Sequence, residues 1–419
     1  MNRQQISISI FDNGLRARVA ALISFGCMLA LLTLVATARA QTFTILHTFT
    51  ASGDGQGPTA SPILAGNGAL YGVATFGGGG DGGGAFKLAP HGGGWALNPL
   101  FTHTGAIDSK LVVGPDGNLY GTSGEGGIDN CGEGGGCGTV FMLQPPPSAC
   151  ASFSCPWRET VLYQFTNGSD GATPASEVVF DSAGNLYGVT LYGGDFNCNQ
   201  FYGCGVVYKL TRSGSGWTES VIHTFVGGSD GYWPGGGLVF DTTGNLFGVT
   251  QQGGSGVGVL YELSPSNGGW SETILHNFPP DGKPFGTLAR DPAGNLYGMS
   301  GLDIFELSQP GNWSYAVLYS FTHDDDPVGG LTLDRAGNLY GATIQAGEYG
   351  YGYVYKLAPS GGSWVLNDLH DFSQSDGTYA NGLLTLDANG DVYGTSGGGG
   401  FFNNGSCYLG CGSAWKITP

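Results

Sequence analysis

The sequence contains few charged residues: Asp, Glu, Lys and Arg make up 11% of the 419 positions, and only 14 of them are basic. Disordered chains combine high charge with low hydrophobicity, whereas 41% of this chain is hydrophobic, so we expect it to fold. The formal net charge of −18 repels the phosphate backbone of nucleic acids. We therefore predict an acidic, folded protein that does not bind nucleic acid.

Long apolar runs are absent beyond the first 40 residues. Within them, Arg16 and Arg18 precede an apolar run over residues 19–36, and Ala38 and Ala40 form a small-x-small cleavage site. We predict that residues 1–40 are a cleaved signal peptide and that the protein is secreted, extracellular or periplasmic. The alternative is an uncleaved anchor helix, because the run approaches spanning length. The mature chain is expected to have no membrane span.

The nine cysteines include no Cys-x-x-Cys pair, and no histidine lies near them. Cys27 would leave with the signal peptide, and an even number in an exported chain indicates disulfides. The short spacings predict four local bridges. These join Cys131 to Cys137, Cys150 to Cys155, Cys198 to Cys204, and Cys407 to Cys411. Zinc binding is the alternative, which the missing histidines and Cys-x-x-Cys pairs disfavour.

Glycine is abundant, with 80 residues, but it lacks the period of three that collagen requires. It recurs instead in a motif, Gly-Asn-Leu-Tyr-Gly. Intact or varied copies occupy residues 68–72, 117–121, 184–188, 244–248, 294–298, 337–341 and 390–394. Variable spacing between constant motifs indicates variable loops on a repeated scaffold.

Each repeat contains four short strand signals separated by turns. In the third repeat they cover residues 177–181, 185–190, 206–210 and 217–225. Four antiparallel strands repeated seven times predict an all-β, seven-bladed β-propeller. We expect residues 41–419 to form this single domain.

The two termini indicate how the ring closes. A tryptophan opens the fourth strand of six repeats, but the seventh repeat ends after its third strand, at residues 415–419. Residues 41–49 have the spacing of the missing fourth strand. We therefore predict that the N-terminal strand completes the last blade.

The recurring unit, Asp-x-x-Gly-Asn-Leu-Tyr-Gly followed by Gly-Gly and Val-(Phe/Tyr)-Lys-Leu, resembles the bacterial GloVer tandem repeat. The resemblance covers nearly all of the mature chain. It implies an exported protein, with C-terminal anchors that vary among members and no particular activity. This sequence has no recognisable anchor before Pro419, so we do not expect surface attachment of that kind.

The histidines do not form a catalytic set. His47, His223, His276 and His370 share one position of the fourth strand, where other repeats have Tyr or Phe, so we interpret it as a packing position. His103 is expected in a loop without a partner. Two Gly-x-Ser-x-Gly matches, at residues 227–231 and 394–398, lack the strand-turn-helix setting of a nucleophile elbow. We assign no catalytic residue.

Acidic turns follow the fourth strands. Asp170, Asp230 and Asp376 each precede glycine just after the aromatic residue that ends such a strand. One interpretation is turn formation by Asp-Gly. The other is a ring of carboxylates at one channel mouth that binds Ca²⁺ or a polar ligand. No other cofactor is expected, and the identity of any metal stays open.

The loops between second and third strands emerge on the same face as these turns. They contain the aromatic and amide residues that we select as ligand-binding candidates: Asn199, Tyr202, Tyr349, Tyr351 and Phe401. Such side chains suit sugars and protein surfaces alike. The disulfides in these loops stabilise them and would also lower the entropy lost on binding.

We predict a monomeric, non-enzymatic protein that binds a polysaccharide or an extracellular protein through this loop face. One alternative is a lyase or hydrolase with carboxylates at the channel mouth, since two suitably spaced carboxylates suffice for glycosidic cleavage. Another is a structural protein of the cell envelope, which would bind no ligand.

Overall fold

The structure of the protein is a computed structural model. It describes residues 41–419 except 59, 76–82, 104, 108, 129–130, 132–134, 147–156, 175, 200, 215, 310, 312, 403–406 and 408. Residues Phe43–Thr418 form one compact unit. This unit consists of seven antiparallel sheets, which confirms the predicted seven-bladed β-propeller. The predicted signal peptide lies outside the described residues.

The first three blades follow the order of the repeats. Blade 1 contains β2 (Ala60–Leu64), β3 (Leu70–Ala74), β4 (Gly84–His91) and β5 (Gly94–Thr102). Blade 2 contains β6 (Val112–Val113), β7 (Leu119–Ser123), β8 (Thr139–Gln144) and β9 (Arg158–Gln164). Blade 3 contains β10 (Val179–Phe180), β11 (Leu186–Thr190), β12 (Val206–Ser213) and β13 (Gly216–Thr224).

A short 3₁₀ turn, Gly228–Asp230, leads into blade 4, which has five strands. They are β14 (Tyr232–Pro234), β15 (Val239–Phe240), β16 (Leu246–Gln252), β17 (Val259–Ser266) and β18 (Gly269–Asn277). Blade 5 contains β19 (Pro284–Arg290), β20 (Leu296–Ser300), β21 (Asp303–Ser308) and β22 (Ser314–Ser320). Blade 6 contains β23 (Pro327–Leu333), β24 (Leu339–Thr343), β25 (Tyr353–Ser360) and β26 (Ser363–Asp371). Among the described residues, no helix is long and apolar enough to span a membrane.

Blade 7 joins the two ends of the chain. Its strands are β27 (Thr378–Leu386), β28 (Val392–Gly398), β29 (Ser413–Thr418) and, outermost, β1 (Thr42–Thr48). The backbone N–H of Phe49 donates to the carbonyl of Gly412 at 3.0 Å, and the ring of Phe43 lies 6.0 Å from that of Trp415. The predicted closure by the N-terminal strand is confirmed.

The repeated Asp-x-x-Gly-Asn turn is held by one carboxylate. In blade 3, Asp181 accepts hydrogen bonds from the backbone N–H of Ala183 and Asn185, at 2.9 Å each, and from the Tyr187 hydroxyl at 3.1 Å. Gly184 supplies the positive φ of 81° that the turn requires. The same Asp–Asn hydrogen bonds recur at Asp241, Asp291 and Asp334. The motif is therefore a structural turn at the face opposite the variable loops.

The last glycine of each motif makes room for an aromatic ring of the third strand. A Cβ on Gly298 would lie 2.6 Å from Cζ of Phe305, which is fully buried. The equivalent rings belong to Phe86, Phe141, Tyr208, Tyr261, Tyr355 and Trp415. A side chain at this glycine would displace the ring at the centre of its blade.

Contacts between neighbouring blades use the other repeated aromatics. The tryptophan beside the fourth strand of one blade packs edge-on against the second-strand aromatic of the preceding blade. These pairs are Tyr71–Trp157, Tyr120–Trp217, Tyr187–Trp270, Phe247–Trp313 and Tyr297–Trp364, with centroids 5.6–6.4 Å apart. The repeat motif therefore encodes packing both within and between blades.

The innermost strands differ most from the sequence prediction. In blade 3 the first strand retains only Val179–Phe180 of the expected residues 177–181. The register of the innermost pair shifts in blades 1, 5, 6 and 7, for instance between Phe285 and Ala289. These breaks occur where the chain lines the channel. The strand bends there to follow the ring, and this bending interrupts the hydrogen-bond ladder.

Candidate ligand-binding face

Three disulfides stiffen the loops on one face of the propeller. The bridges Cys131–Cys137, Cys198–Cys204 and Cys407–Cys411 form as predicted. The predicted partner pair Cys150 and Cys155 lies outside the described residues. Disulfides persist in oxidising environments, so these three indicate a protein that folds outside the reducing cytosol.

The acidic turns on this face direct their carboxylates back onto their own loops. Asp170 is only 8% exposed and accepts hydrogen bonds from the backbone N–H of Thr166 at 2.9 Å and of Gly168 at 3.1 Å. The Oδ2 atom that accepts the Thr166 N–H also accepts the Tyr163 hydroxyl at 3.1 Å. Most of the hydrogen-bonding capacity of this carboxylate is therefore used inside the turn.

In other blades a histidine replaces that tyrosine. Nε2 of His223 lies 3.1 Å from Asp230, and Nε2 of His370 lies 3.2 Å from Asp376. His47 pairs with Asp54 in the same way, at 3.1 Å. The histidine position is thus a polar partner of the turn as well as a packing position.

A residue from the next blade covers each of these positions. It lies on the fourth strand, two residues after the tryptophan position. In blade 7, Phe43 stacks on His370 with centroids 3.6 Å apart, and in blade 5, Tyr315 stacks on His276 at 4.0 Å. In blade 4 the covering residue is Glu272, whose Oε1 lies 3.6 Å from Nε2 of His223. The face therefore contains one repeated site with different chemistry at each junction.

Burial changes the acidity of the glutamates at this covering position. Burial and the charge of Asp170 raise the pKa of Glu219 to about 7. Burial, a hydrogen bond with Asp230 and its charge raise the pKa of Glu272 to about 9. Burial also acts to raise the pKa of Asp230, but hydrogen bonds from His223 and neighbouring groups outweigh it and keep that pKa below its usual value. Both glutamates lie on outer strands, far from the channel.

The raised pKa of Glu219 predicts how the stability of the folded protein depends on pH. Because the folded state favours the protonated acid, stability is expected to fall as pH rises from the ordinary glutamate range through about 7. Glu219→Gln should therefore stabilise the protein by about 1 kcal/mol near pH ~8, allowing for screening at this half-buried site, and by little near pH ~4. Urea unfolding at the two pH values measures the difference.

Glu159→Gln provides the matched control, because Glu159 occupies the same repeat position but accepts a hydrogen bond from a histidine. It should not stabilise the protein at either pH. Equal effects of Glu219→Gln at both pH values would contradict the assignment of a buried, protonated Glu219.

His103 is not the isolated loop residue that the sequence suggested. It is 4% exposed, and its Nδ1 lies 2.7 Å from Oε1 of Glu159 in the next blade. Its ring also stacks on Phe141 at 5.3 Å. One signal was available in the sequence: His103 stands where the other six blades have the phenylalanine that ends the fourth strand.

Aromatic side chains cluster at the junction of blades 3 and 4. The rings of Tyr192 and Tyr202 lie 5.0 Å apart, and that of Trp233 lies 6.0 and 6.4 Å from them. Tyr202 is 52% exposed and the adjacent Phe201 86% exposed. We call Tyr192, Phe201, Tyr202 and Trp233 the aromatic cluster. Of these four, only Tyr202 was among the predicted site residues.

The backbone around the aromatic cluster is held firmly. The side chain of Asn199 accepts hydrogen bonds from the backbone N–H of Phe201 and Tyr202, at 3.1 Å each. Nε1 of Trp233 donates to the carbonyl of Gly203 at 3.0 Å, although Trp233 has a positive φ of 59°. A non-glycine residue in this region costs of order 1 kcal/mol or more and marks a constrained site. Asn199, a predicted ligand contact, thus positions the loop.

The remaining predicted aromatics lie in other blades. Tyr349 is 54% exposed in the second-to-third-strand loop of blade 6, and Tyr351 packs partly against the core between blades 6 and 7. Phe401 is exposed in the loop of blade 7. Among the described residues, no ring contact joins these three side chains to one another or to the aromatic cluster.

A cavity of about 120 Å³ lies in the central channel. Glycine, serine and threonine line most of it, but Lys110 and Glu177 contribute opposite charges. Nζ of Lys110 donates to Thr385 at 3.2 Å, and Glu177 accepts the Thr287 hydroxyl at 2.7 Å. Burial lowers the pKa of Lys110, although the charge of Glu177 partly opposes this shift. Small-molecule sites usually enclose about 300–1,000 Å³, so this cavity is small.

A larger concavity lies on the opposite face. It encloses about 440 Å³ between the Asp-x-x-Gly turns of blades 6 and 7, beside Asp334, Tyr340 and Asp387. Asp334 and Asp387 are occupied by their turn hydrogen bonds. This groove therefore offers mainly turn backbone and the side chain of Arg335 to a ligand.

Comparison with known proteins supports the repeat and the fold. The family model described as the Gloeobacter/Verrucomicrobia repeat matches residues 33–199 and 132–303, more than half of the chain. No curated protein is similar to the chain in sequence.

Solved structures share the fold at low sequence identity. Virginiamycin B lyase from Staphylococcus aureus superposes with a TM-score of 0.57 at 12% identity, covering 90% of this chain and 99% of the lyase. An inactive variant of that lyase, with quinupristin, gives a TM-score of 0.58 at the same identity and coverage. A candidate 6-phosphogluconolactonase from Bacteroides uniformis gives 0.51 at 15% identity, covering 80% of this chain and 88% of that protein. At these identities the likeness concerns the propeller fold alone.

Proposed function

The chain belongs to the Gloeobacter/Verrucomicrobia repeat family, and from that premise we propose that it is an exported protein that binds a neutral polysaccharide on its loop face. The aromatic cluster carries this proposal, because exposed rings on a stiffened loop are suited to stacking on sugar faces. The proposed export agrees with the three disulfides of the same loop face.

Preorganisation supports the choice of this cluster over the other exposed aromatics. The Cys198–Cys204 bridge and the hydrogen bonds to Asn199 fix the loop that contains Phe201 and Tyr202. A loop that is already ordered loses less conformational entropy when a ligand binds. The rings can therefore contribute most of their contact energy to affinity.

Charge supports a neutral ligand. The formal net charge is −18, and acidic residues outnumber basic ones 32 to 14. Such a surface repels polyuronates and sulfated glycans over distances of about 10 Å at moderate salt. We expect binding to glucans, mannans or similar uncharged polymers, with little dependence on ionic strength.

The test is an array of neutral and acidic polysaccharides, probed with the purified exported protein with and without Ca²⁺. Retention on neutral polymers without released sugar supports a binding protein. Trp233→Ala and Tyr202→Ala should each weaken that binding about fivefold, since one aromatic contact is worth about 1 kcal/mol. Isothermal titration with a soluble oligosaccharide of the retained polymer gives the affinities.

Tyr379→Ala is the matched control for Trp233→Ala. Tyr379 occupies the corresponding position of blade 7, with a positive φ of 58°, and is 41% exposed. The part of the chain that the structure describes gives its ring no aromatic partner. Its replacement should leave affinity unchanged. If Tyr379→Ala weakened binding as much as Trp233→Ala, the aromatic cluster would not be the site. A blank array would favour a protein ligand or a structural role.

The second candidate function is enzymatic cleavage of a polysaccharide. The channel cavity is the candidate active site for it. Lys110, with its lowered pKa, could act as the general base of a lyase. Glu177 is the one carboxylate among the described lining residues, so the paired carboxylates of a glycosidase are not available there. Unsaturated product in the array wells that is lost with Lys110→Met would favour this function over binding alone.

A further inference from the structure

Three potential metal ligands meet at the junction of blades 3 and 4. They are His223 at the end of β13, Asp230 in the following turn, and Glu272 on β18. Nε2 of His223 lies 3.1 Å from Oδ1 of Asp230 and 3.6 Å from Oε1 of Glu272. No other group of three such ligand atoms lies this close within the described residues.

We propose that His223, Asp230 and Glu272 bind one divalent first-row transition metal ion, with Zn²⁺ as the best fit. Bonds of about 2.0–2.1 Å in a tetrahedral zinc site place neighbouring ligand atoms about 3.3 Å apart. The separations of 3.1 and 3.6 Å bracket this value, and all three ligand atoms lie within 4.8 Å of one another. Three protein ligands leave a fourth position for water or another ligand.

The environment of Glu272 is a second, independent observation. Its Oε1 is enclosed and has no hydrogen-bond donor within the described part of the chain. An enclosed carboxylate oxygen without a partner costs free energy, and the carboxylate of Asp230 repels it whenever both groups are ionised. A divalent cation between the two carboxylates would remove both penalties, because its charge balances theirs.

The other blades show what the junction looks like without a third ligand. His370 and Asp376 form the same pair in blade 6, but Phe43 stacks on the histidine where Glu272 stands in blade 4. His47 and Asp54 form it again, and the corresponding residue of the next blade is Leu97. The histidine–aspartate pair recurs in several blades, and glutamate also occupies the covering position in blades 2 and 3. Among the described residues, the pair and the glutamate come together at His223, Asp230 and Glu272.

The donor set favours a transition metal over Ca²⁺. Calcium takes six to eight oxygen ligands at about 2.3–2.6 Å, whereas this site has one imidazole nitrogen and two carboxylates in a compact arrangement. Imidazole combined with carboxylates suits Zn²⁺ and related ions. All three side chains retain 15–18% exposure, so an ion can enter from the loop face. The site shares no residue with the aromatic cluster, and its proposal does not depend on polysaccharide binding.

The test is a Zn²⁺ titration of the full chain, purified from an exporting host and stripped with chelator, in competition with a chromophoric chelator. We expect one tight site per chain. Glu272→Gln and His223→Phe should each weaken it at least about tenfold, and His370→Phe should leave it unchanged. Thermal unfolding without metal identifies any variant that fails to fold, and Asp230→Asn then replaces that variant.

Co²⁺ provides a second readout that a structural role would not give. Bound at the proposed site, it should show the visible absorption of a four-coordinate nitrogen and oxygen environment, and Glu272→Gln should remove that band. The proposal is overturned if no stoichiometric site is found, or if His370→Phe weakens Zn²⁺ as much as His223→Phe. It is also overturned if Ca²⁺ displaces Zn²⁺ at equal concentration.

Discussion

A chain that begins at Ser52 should lose the cooperative unfolding transition that a chain beginning at Gln41 shows. The shorter chain lacks β1, the outermost strand of blade 7. Phe49 is fully buried and Leu46 nearly so, and Phe43 stacks on His370 in blade 6. Loss of large buried side chains costs about 2–5 kcal/mol each, so the sum approaches the about 5–15 kcal/mol by which a typical domain is stable.

The loss should spread beyond blade 7, because the strand connects blades at both sides. Phe49 contacts Phe86 of blade 1 at 5.1 Å, while Phe43 contacts blade 6. Without the strand, β29 also becomes an exposed edge that can pair with other chains. Near-ultraviolet circular dichroism during urea unfolding should show a broad, early transition, and gel filtration should show aggregates.

A synthetic peptide of residues 41–51 provides the control. Added to the shortened chain during refolding, it can supply the missing strand in trans, as in β-strand addition between proteins. It should restore a cooperative transition, and a peptide of scrambled sequence should not. If the shortened chain alone unfolded at the same urea concentration as the longer one, the N-terminal strand would not be closing the ring.

This closure could be predicted because the repeat encodes local contacts. Three features recur in the repeats: the tryptophan, the Asp-x-x-Gly-Asn turn and the final glycine of the motif. Each makes contacts within its own blade or with the neighbouring blade. Because the same contacts recur in seven repeats, the sequence predicts a ring, and the short last repeat then identifies the missing strand. The variable loops differ from repeat to repeat, so their structure could not be predicted in this way.

The contents of the candidate sites were harder to predict because they depend on the register between blades. His223 is equivalent to His370 along the sequence, and only the facing strand shows that one meets Glu272 and the other Phe43. Lys110 and Glu177 lie in separate repeats, and only the fold brings them to the lining of one cavity. The sequence places Trp233 just after an Asp-Gly turn on the loop face, so its location could have been predicted. Its contact with Tyr202 could be seen only in the folded structure.

Gly298→Ala should destabilise the protein by about 3 kcal/mol, the upper end of the cost of overpacking a core. The added methyl would lie 2.6 Å from Cζ of Phe305 and 2.7 Å from Cδ2 of Leu288. Both side chains are buried, and the strands on either side fix the backbone, so the ring cannot move away without opening a gap elsewhere. Gly66→Ala is the control, because a Cβ there meets no atom within 4 Å.

A double-mutant cycle tests whether the clash with Phe305 causes this loss of stability, or whether the strand tolerates no substitution at Gly298. Phe305→Leu alone should cost about 1–3 kcal/mol, since it leaves a cavity at the centre of blade 5. Combined with Gly298→Ala, it should cost clearly less than the sum of the two, because the methyl fills part of that cavity and no longer meets the ring. Urea unfolding of the four proteins measures the coupling. Additive effects would show that the Phe305 ring is not the reason for glycine at this position, and that the glycine of the repeated motif needs a different explanation.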